Sequence, residues 1–126
     1  MYLKHYVVGA LLVLAGAMFY SYPAKATIVQ VEVAECPKIA TVVTRVVKNF
    51  QLQQSQQKQL SYIKAQRHLS VAARDILGDL VYTIYAAAGD DLVFMWKLDP
   101  LFAGNVMLEE CIKARGVWEI TDREKI

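Results

Sequence analysis

Residues 38–77 contain neither glycine nor proline, and this stretch constrains the fold more than any other feature of the chain. Its first apolar positions recur every three or four residues, at Ile39, Val42, Val43, Val46, Val47 and Phe50. That spacing places them on one face of an α-helix, and Pro37 suits the first turn of such a helix. The β-branched residues favour a strand only weakly, so we predict a helix here.

A second apolar stripe predicts a second helix. Its members are Leu69, Ala72, Ala73, Ile76, Leu77, Leu80, Val81 and Ile84, and Gly89 is a natural stop beyond them. Between the two stripes lies a glutamine-rich segment, residues 51–59, which suits either an exposed helix or a turn. The sequence therefore leaves open whether residues 38–88 form one long helix or a hairpin.

Two further segments complete the predicted architecture. Asp90 and Asp91 can cap a short apolar turn, and Asp99 and Pro100 predict the start of a last helix that runs to Gly116. Residues 28–34 alternate in polarity, as a strand does, and residues 117–120 are the candidate partner, with an unpaired extended arm as the alternative. We expect a mainly α protein, a small bundle of three to four helices with a short strand pair (28–34 with 117–120).

The first 26 residues predict an export signal. Lys4 gives a basic start, an uncharged apolar run extends over residues 7–20, and Ala24-Lys25-Ala26 matches the small-x-small pattern that signal peptidases cleave. The alternative is an uncleaved membrane anchor, because residues 6–24 are just long enough to cross roughly 30 Å of hydrocarbon. Under either interpretation residues 27–126 form a single helical domain outside the cytoplasm. It lies in the periplasm or extracellular space, or is held to the inner membrane by one span.

Cys36 and Cys111 are the two cysteines of the chain. An even number of cysteines in an exported protein predicts a disulfide. This bridge would tie the start of the first helix to the last helix. We expect no metal site, because a zinc site that combines His68 with both cysteines requires free thiols.

The charges are strongly segregated along the chain. Residues 36–74 hold seven basic side chains and no acidic one, whereas residues 75–110 hold seven acidic side chains and one basic one. We interpret the basic set as a candidate partner surface; its members are Lys38, Arg45, Lys48, Lys58, Lys64, Arg67 and Arg74. The alternative is that the basic and acidic halves face each other in the fold and neutralise internally.

No residue pattern indicates an enzyme. The sequence lacks G-x-S-x-G, H-E-x-x-H and a phosphate-binding glycine loop. Asp75 and Asp79 share a helical face, as an acid–base pair can, but many surface helices show the same spacing. We therefore expect no catalytic residue and no cofactor. The aromatic residues of the C-terminal third are expected in the core, with any exposed member a candidate binding anchor; they are Phe94, Trp96, Phe102 and Trp118.

The expected function is binding. Export, small size, helices and a disulfide are typical of an inhibitor, an immunity factor or a small chaperone, whose partner is another envelope protein and not a nucleic acid. The alternative is a single-pass membrane-anchored subunit of an envelope assembly, as in secretion, conjugation or phage-related systems. Contact with the membrane is expected only in that second case.

We predict that the mature protein lacks residues 1–26. Mass spectrometry of protein recovered from its own envelope fraction should show Thr27 at the N-terminus, because Ala24 and Ala26 present the small side chains that the peptidase pockets accept. A mass that includes residues 1–26 would instead support the membrane-anchored alternative.

Overall fold

The computed structural model describes residues 26–121. They form a two-stranded antiparallel sheet, one 3-10 helix and five α-helices. In chain order these are β1 (Ala26–Gln30), the 3-10 helix (Val33–Glu35), α1 (Cys36–Gln51), α2 (Gln56–Lys64), α3 (Val71–Tyr85), α4 (Asp90–Lys97), α5 (Pro100–Lys113) and β2 (Val117–Thr121). The prediction of a mainly helical chain with a short strand pair is confirmed. Apart from Ala26, the predicted export signal lies outside the described residues.

The predicted number of three to four helices is wrong, since residues 26–121 contain five, in a looser arrangement than the predicted bundle. The additional helices are α2, which begins inside the glutamine-rich segment, and α4, which the sequence suggested only as a short turn. Residues 38–88 do not form one long helix. The chain leaves α1 at Leu52 and Gln53, and Gln53 has a left-handed backbone with φ of 63°.

Side-chain caps set where three of the helices begin. The Ser55 and Ser70 hydroxyl oxygens each accept a hydrogen bond from the backbone N–H three residues later, at 3.1 Å, at the starts of α2 and α3. Asp99 caps α5 by accepting from the N–H two residues later at 3.2 Å, in the order predicted with Pro100. Each cap satisfies an N–H that helix geometry leaves without a partner.

The first strand begins and ends earlier in the chain than predicted, whereas the second begins at Val117 as predicted. β1 pairs with β2 in a register that runs from Ala26 opposite Thr121 to Gln30 opposite Val117. The predicted strand 28–34 is wrong in its second half, because the chain enters the 3-10 helix at Val33, whose side chain is 45% exposed. The position at which the partner strand begins explains why β1 ends early. β2 begins at Val117, so after the hydrogen bond from the Val31 N–H to the Gly116 carbonyl (2.9 Å) no strand remains to pair with.

Helix α1 lies at the centre of the core. Its buried residues include every apolar position of the predicted stripe: Ile39, Val42, Val43, Val46, Val47 and Phe50. Its most extensive contact with another helix is with α5. The two helices approach closely at Gly104, where a Cβ would overlap Thr44 Oγ1 and lie 2.9 Å from the Ala40 carbonyl oxygen. Packing therefore requires glycine at this position.

The disulfide between Cys36 and Cys111 is confirmed. Cys36 is the first residue of α1, Cys111 lies in the last turn of α5, and both are fully buried. The bridge therefore reinforces the central helix pair. It also holds together the two segments of chain that pair as β1 and β2.

Part of the glutamine-rich segment is buried. Gln59 is fully buried, and its Nε2 donates to the Val46 carbonyl oxygen at 3.0 Å and to the Tyr85 hydroxyl at 2.8 Å. The Tyr85 hydroxyl in turn donates to the Gln54 carbonyl oxygen at 2.6 Å. These hydrogen bonds join α1, the start of α2 and the end of α3, so α2 is attached to the core by polar contacts as well as apolar ones.

Alanine substitutions at two helical glycines should have opposite effects. Gly104→Ala should lower the free energy of unfolding by about 1–3 kcal/mol, because the added methyl group enters α1. The matched variant Gly78→Ala in α3 should raise it by roughly 0.5–1 kcal/mol, because alanine is the better helix former. Among residues 26–121, no atom would lie within 4 Å of a Cβ at position 78. Urea unfolding followed by circular dichroism measures both, and equal effects would contradict the close α1–α5 contact.

Loss of the disulfide should be strongly destabilising. Cys36→Ala/Cys111→Ala should lower the free energy of unfolding by roughly 4 kcal/mol, since the bridge constrains the unfolded chain over a separation of 75 residues. Reductant should produce the same loss in the unsubstituted protein and no further loss in the variant. A loss of unfolding free energy below about 1 kcal/mol would show that the bridge forms in the folded protein but contributes little to its stability.

Candidate functional site

The seven basic side chains of the predicted partner surface do not form one continuous group. Lys38, Arg45 and Lys48 lie on α1, Lys58 and Lys64 on α2, Arg67 between α2 and α3, and Arg74 on α3. All are exposed except Arg74, which is partly buried. The structure divides most of them between two sites, a stripe on α1 with Lys58 of α2 next to it, and a groove along α3.

Lys38, Arg45 and Lys48, which we call the basic stripe, lie on one side of α1. Spacings of seven and three residues bring them within about 80° of one another around the helix axis. The stripe reaches α2 at Tyr62, because Arg45 Nη1 donates to the Tyr62 hydroxyl at 3.4 Å and the guanidinium carbon lies 5.1 Å from the ring centroid. Lys58, one turn before Tyr62 on α2, adds a fourth positive charge next to the stripe.

None of the seven basic side chains forms an ion pair within residues 26–121. Three carboxylates of the described residues contact groups other than these seven side chains. Glu35 Oε2 accepts a hydrogen bond from the Ser70 N–H at 3.0 Å, and Glu109 and Glu110 lie 3.8 and 3.7 Å from Lys113 Nζ. The alternative in which the basic and acidic halves neutralise each other therefore has no ion pair to support it in the described part of the chain. The charge of the basic stripe faces solvent.

A groove of about 640 Å³ lies along α3, and we call it the α3 groove. Helix α3 contacts α2 on one side and both strands of the sheet on another, so it forms the floor of the groove and they form its walls. Its apolar lining includes Val29, Leu60, Val71 and Ile120. The volume falls within the range of about 300–1,000 Å³ that is usual for small-ligand sites.

Side chains of both signs line the α3 groove. Arg74 Nη1 donates to the Lys64 carbonyl oxygen at 3.5 Å, so these two cationic residues lie next to each other. Asp75 also lines the groove and is rotated by about 100° from Arg74 around the α3 axis. Neither Lys64 nor Arg74 pairs with a carboxylate of the described residues. The groove thus contains side chains of both signs, and no carboxylate of the described residues forms an ion pair with its two cationic side chains.

At Gly78, in the middle of α3, the floor of the α3 groove has no side chain. A Cβ here would meet nothing within 4 Å, so packing within the described residues does not require glycine. Glycine inside a helix costs about 0.5–1 kcal/mol relative to alanine. Sequence reasoning missed this position, because an isolated glycine within an apolar stripe looks the same whether a ligand needs it or the helix merely tolerates it.

The structure also places the residues that we considered for catalysis and metal binding. Both cysteine sulfurs are taken up by the disulfide, so neither can bind zinc with His68, which is exposed between α2 and α3. Asp75 and Asp79 both line the α3 groove. Among residues 26–121, no group of three or more His, Cys, Asp or Glu side chains has an arrangement that could hold a metal ion.

Trp96 departs from the expectation that the C-terminal aromatic residues are core residues. It is 42% exposed, although its ring lies 5.1 Å from that of Phe50. The reason is that α4 is short and buries only Met95 completely. The other aromatic residues of the set, Phe94, Phe102 and Trp118, are partly buried against the core.

Comparison with known proteins identifies no relative of this chain. The chain matches no family model, and no curated protein or solved structure is detectably similar to it. Within the described range, no helix has both the length and the apolar character needed to span a bilayer. The chemistry of the basic stripe and of the α3 groove is therefore the basis for assigning a function.

Proposed function

We propose that this protein is an exported, non-catalytic binding protein whose basic stripe binds an acidic protein of the cell envelope. The observation that carries the proposal is the row of exposed cations on α1 and α2, none of which has an ion pair within residues 26–121. An inhibitor, an immunity factor or a small chaperone would act in this way, by occupying the surface of another protein. The buried disulfide fits such a compartment, because disulfides persist in oxidising environments.

The geometry of the stripe suits a row of carboxylates. Lys48 lies about 5 Å and Lys38 about 10 Å along the helix axis from Arg45, in opposite directions. A partner helix or strand with acidic residues at similar intervals can contact all three. Complementary charge of this kind also raises the rate of association and excludes basic partners.

Arg45 is the most preorganised side chain of the basic stripe. Its hydrogen bond to Tyr62 and its position over the Tyr62 ring already restrict the side chain, so binding removes less of its conformational freedom. The remaining N–H groups of the guanidinium can bind a carboxylate through two parallel hydrogen bonds. We therefore expect Arg45 to lie near the centre of the interface, with the lysines at its edges.

Charge reversal on the stripe tests the proposal. Lys38→Glu/Lys48→Glu should weaken binding to the envelope partner at least about tenfold, because two attractive contacts become repulsive. The matched control is Lys97→Glu/Arg115→Glu, which changes the net charge by the same amount at exposed positions of α4 and of the α5–β2 connection. The partner is recovered from envelope extract with the mature protein, and its affinity is then measured by biolayer interferometry at two salt concentrations.

The controls separate a surface effect from a folding effect. All four substituted positions are exposed, so circular dichroism should show unchanged folding. Equal losses in the two variants would indicate a general effect of net charge, and full affinity of the stripe variant would place the interface elsewhere. Binding to phosphatidylglycerol vesicles without any protein partner would replace the acidic protein by an anionic membrane surface.

A further inference from the structure

We propose that the α3 groove binds a short peptide with free termini, at a site separate from the basic stripe. The terminal carboxylate contacts Lys64 and Arg74, and the terminal ammonium group contacts Asp75. Apolar side chains of the peptide lie against Leu60 and Ile120. The occupant is therefore a small zwitterionic chain, and neither a folded domain nor a ligand of a single charge.

The positions of the charged residues set the length of this peptide. Arg74 and Asp75 are consecutive in α3, about 1.5 Å apart along the helix axis, so both termini bind near the Val71 end of the floor. An extended di- or tripeptide spans about 7–11 Å, which is short enough for its two ends to reach these two side chains. The volume of about 640 Å³ agrees with a ligand of this size.

The distribution of charge favours a zwitterion over an anion or a cation. A purely anionic ligand would be attracted by Lys64 and Arg74 but repelled by the carboxylates of Asp75 and Asp79, and a cationic ligand would be attracted by the carboxylates but repelled by Lys64 and Arg74. A peptide with free termini satisfies both signs at once. Contacts between ionised groups are the stronger hydrogen bonds in proteins, so the termini should determine the orientation while the apolar walls bind the side chains.

Gly78 is a second, independent feature that points to a ligand. The position is in the middle of α3, on the floor of the groove, and no described neighbour occupies the space that its Cβ would fill. A bare helix backbone allows a peptide to approach more closely than any side chain would permit. The loss of helix propensity at this position is then explained by the occupant and not by the fold.

A ligand series tests recognition of the termini. The probe is the tripeptide Ala-Leu-Ala, compared with its N-acetylated and its C-terminally amidated forms, in a titration of the ¹⁵N-labelled mature protein. The free peptide should shift the amide resonance of Gly78. Either cap should weaken binding at least about tenfold, because it removes one charged contact and leaves its partner without a ligand.

Substitutions in the groove test the location. Gly78→Leu should abolish binding by filling the floor. Its fold is checked by thermal unfolding and should be retained, since no described residue lies within 4 Å of the Cβ. Arg74→Gln should reduce the preference for a free carboxylate, because only Lys64 is left to contact it, and Asp75→Asn should remove the preference for a free ammonium group. The matched control Lys97→Gln removes one positive charge at an exposed position of α4, outside both the groove and the basic stripe, and should leave peptide affinity unchanged.

The outcomes decide the proposal. Equal affinity for free and capped peptides would overturn recognition of the termini. Full affinity of Gly78→Leu would place the peptide outside the groove, and no shift at millimolar peptide would overturn the site itself. If Gly78→Leu does not fold, Arg74→Gln and Asp75→Asn give the same decision through their separate losses of preference. None of these results bears on the basic stripe, so the two proposals can fail independently.

Discussion

The contact between α1 and α5, closed by the disulfide between Cys36 and Cys111, is the interaction on which the rest of the structure depends. Gly104 lets the two helices approach closely. Because the bridge joins the beginning of α1 to the last turn of α5, the segments just outside these helices emerge side by side and pair as β1 and β2. A two-stranded sheet is marginally stable alone, and here it is supported by its contacts with α3.

The same arrangement leaves two proposed binding surfaces of different chemistry. The apolar face of α1 is buried, so the side that carries Lys38, Arg45 and Lys48 is left to solvent as a convex surface of one charge. Helix α2 and the sheet both contact α3 and leave the α3 groove between them, a concave site that carries both charges. A convex stripe suits a macromolecular partner, whereas a groove of this volume suits a small one.

Sequence reasoning was most successful where one helix face is apolar and the ends carry local signals. The stripes of α1 and α3, the cap at Asp99 and the single way to pair two cysteines are all present in the structure. It failed where contacts between distant parts of the chain determine burial or pairing. Gln59 lies in a polar segment but is buried by its hydrogen bonds to α1 and to Tyr85. The second half of the predicted strand has no partner, because β2 begins only at Val117.

The sequence by itself determined the helical content, the apolar face of the main helices and the identity of the bridge. Each of these follows from the period of apolar residues within one element or from the presence of just two cysteines. Only the tertiary structure decided that Lys64, Arg74 and Asp75 share a groove while Lys38, Arg45 and Lys48 form a stripe. The physical reason is that periodicity specifies which face of an element is buried, but not which other element covers it. Sites formed between elements are therefore set by the packing of distant segments.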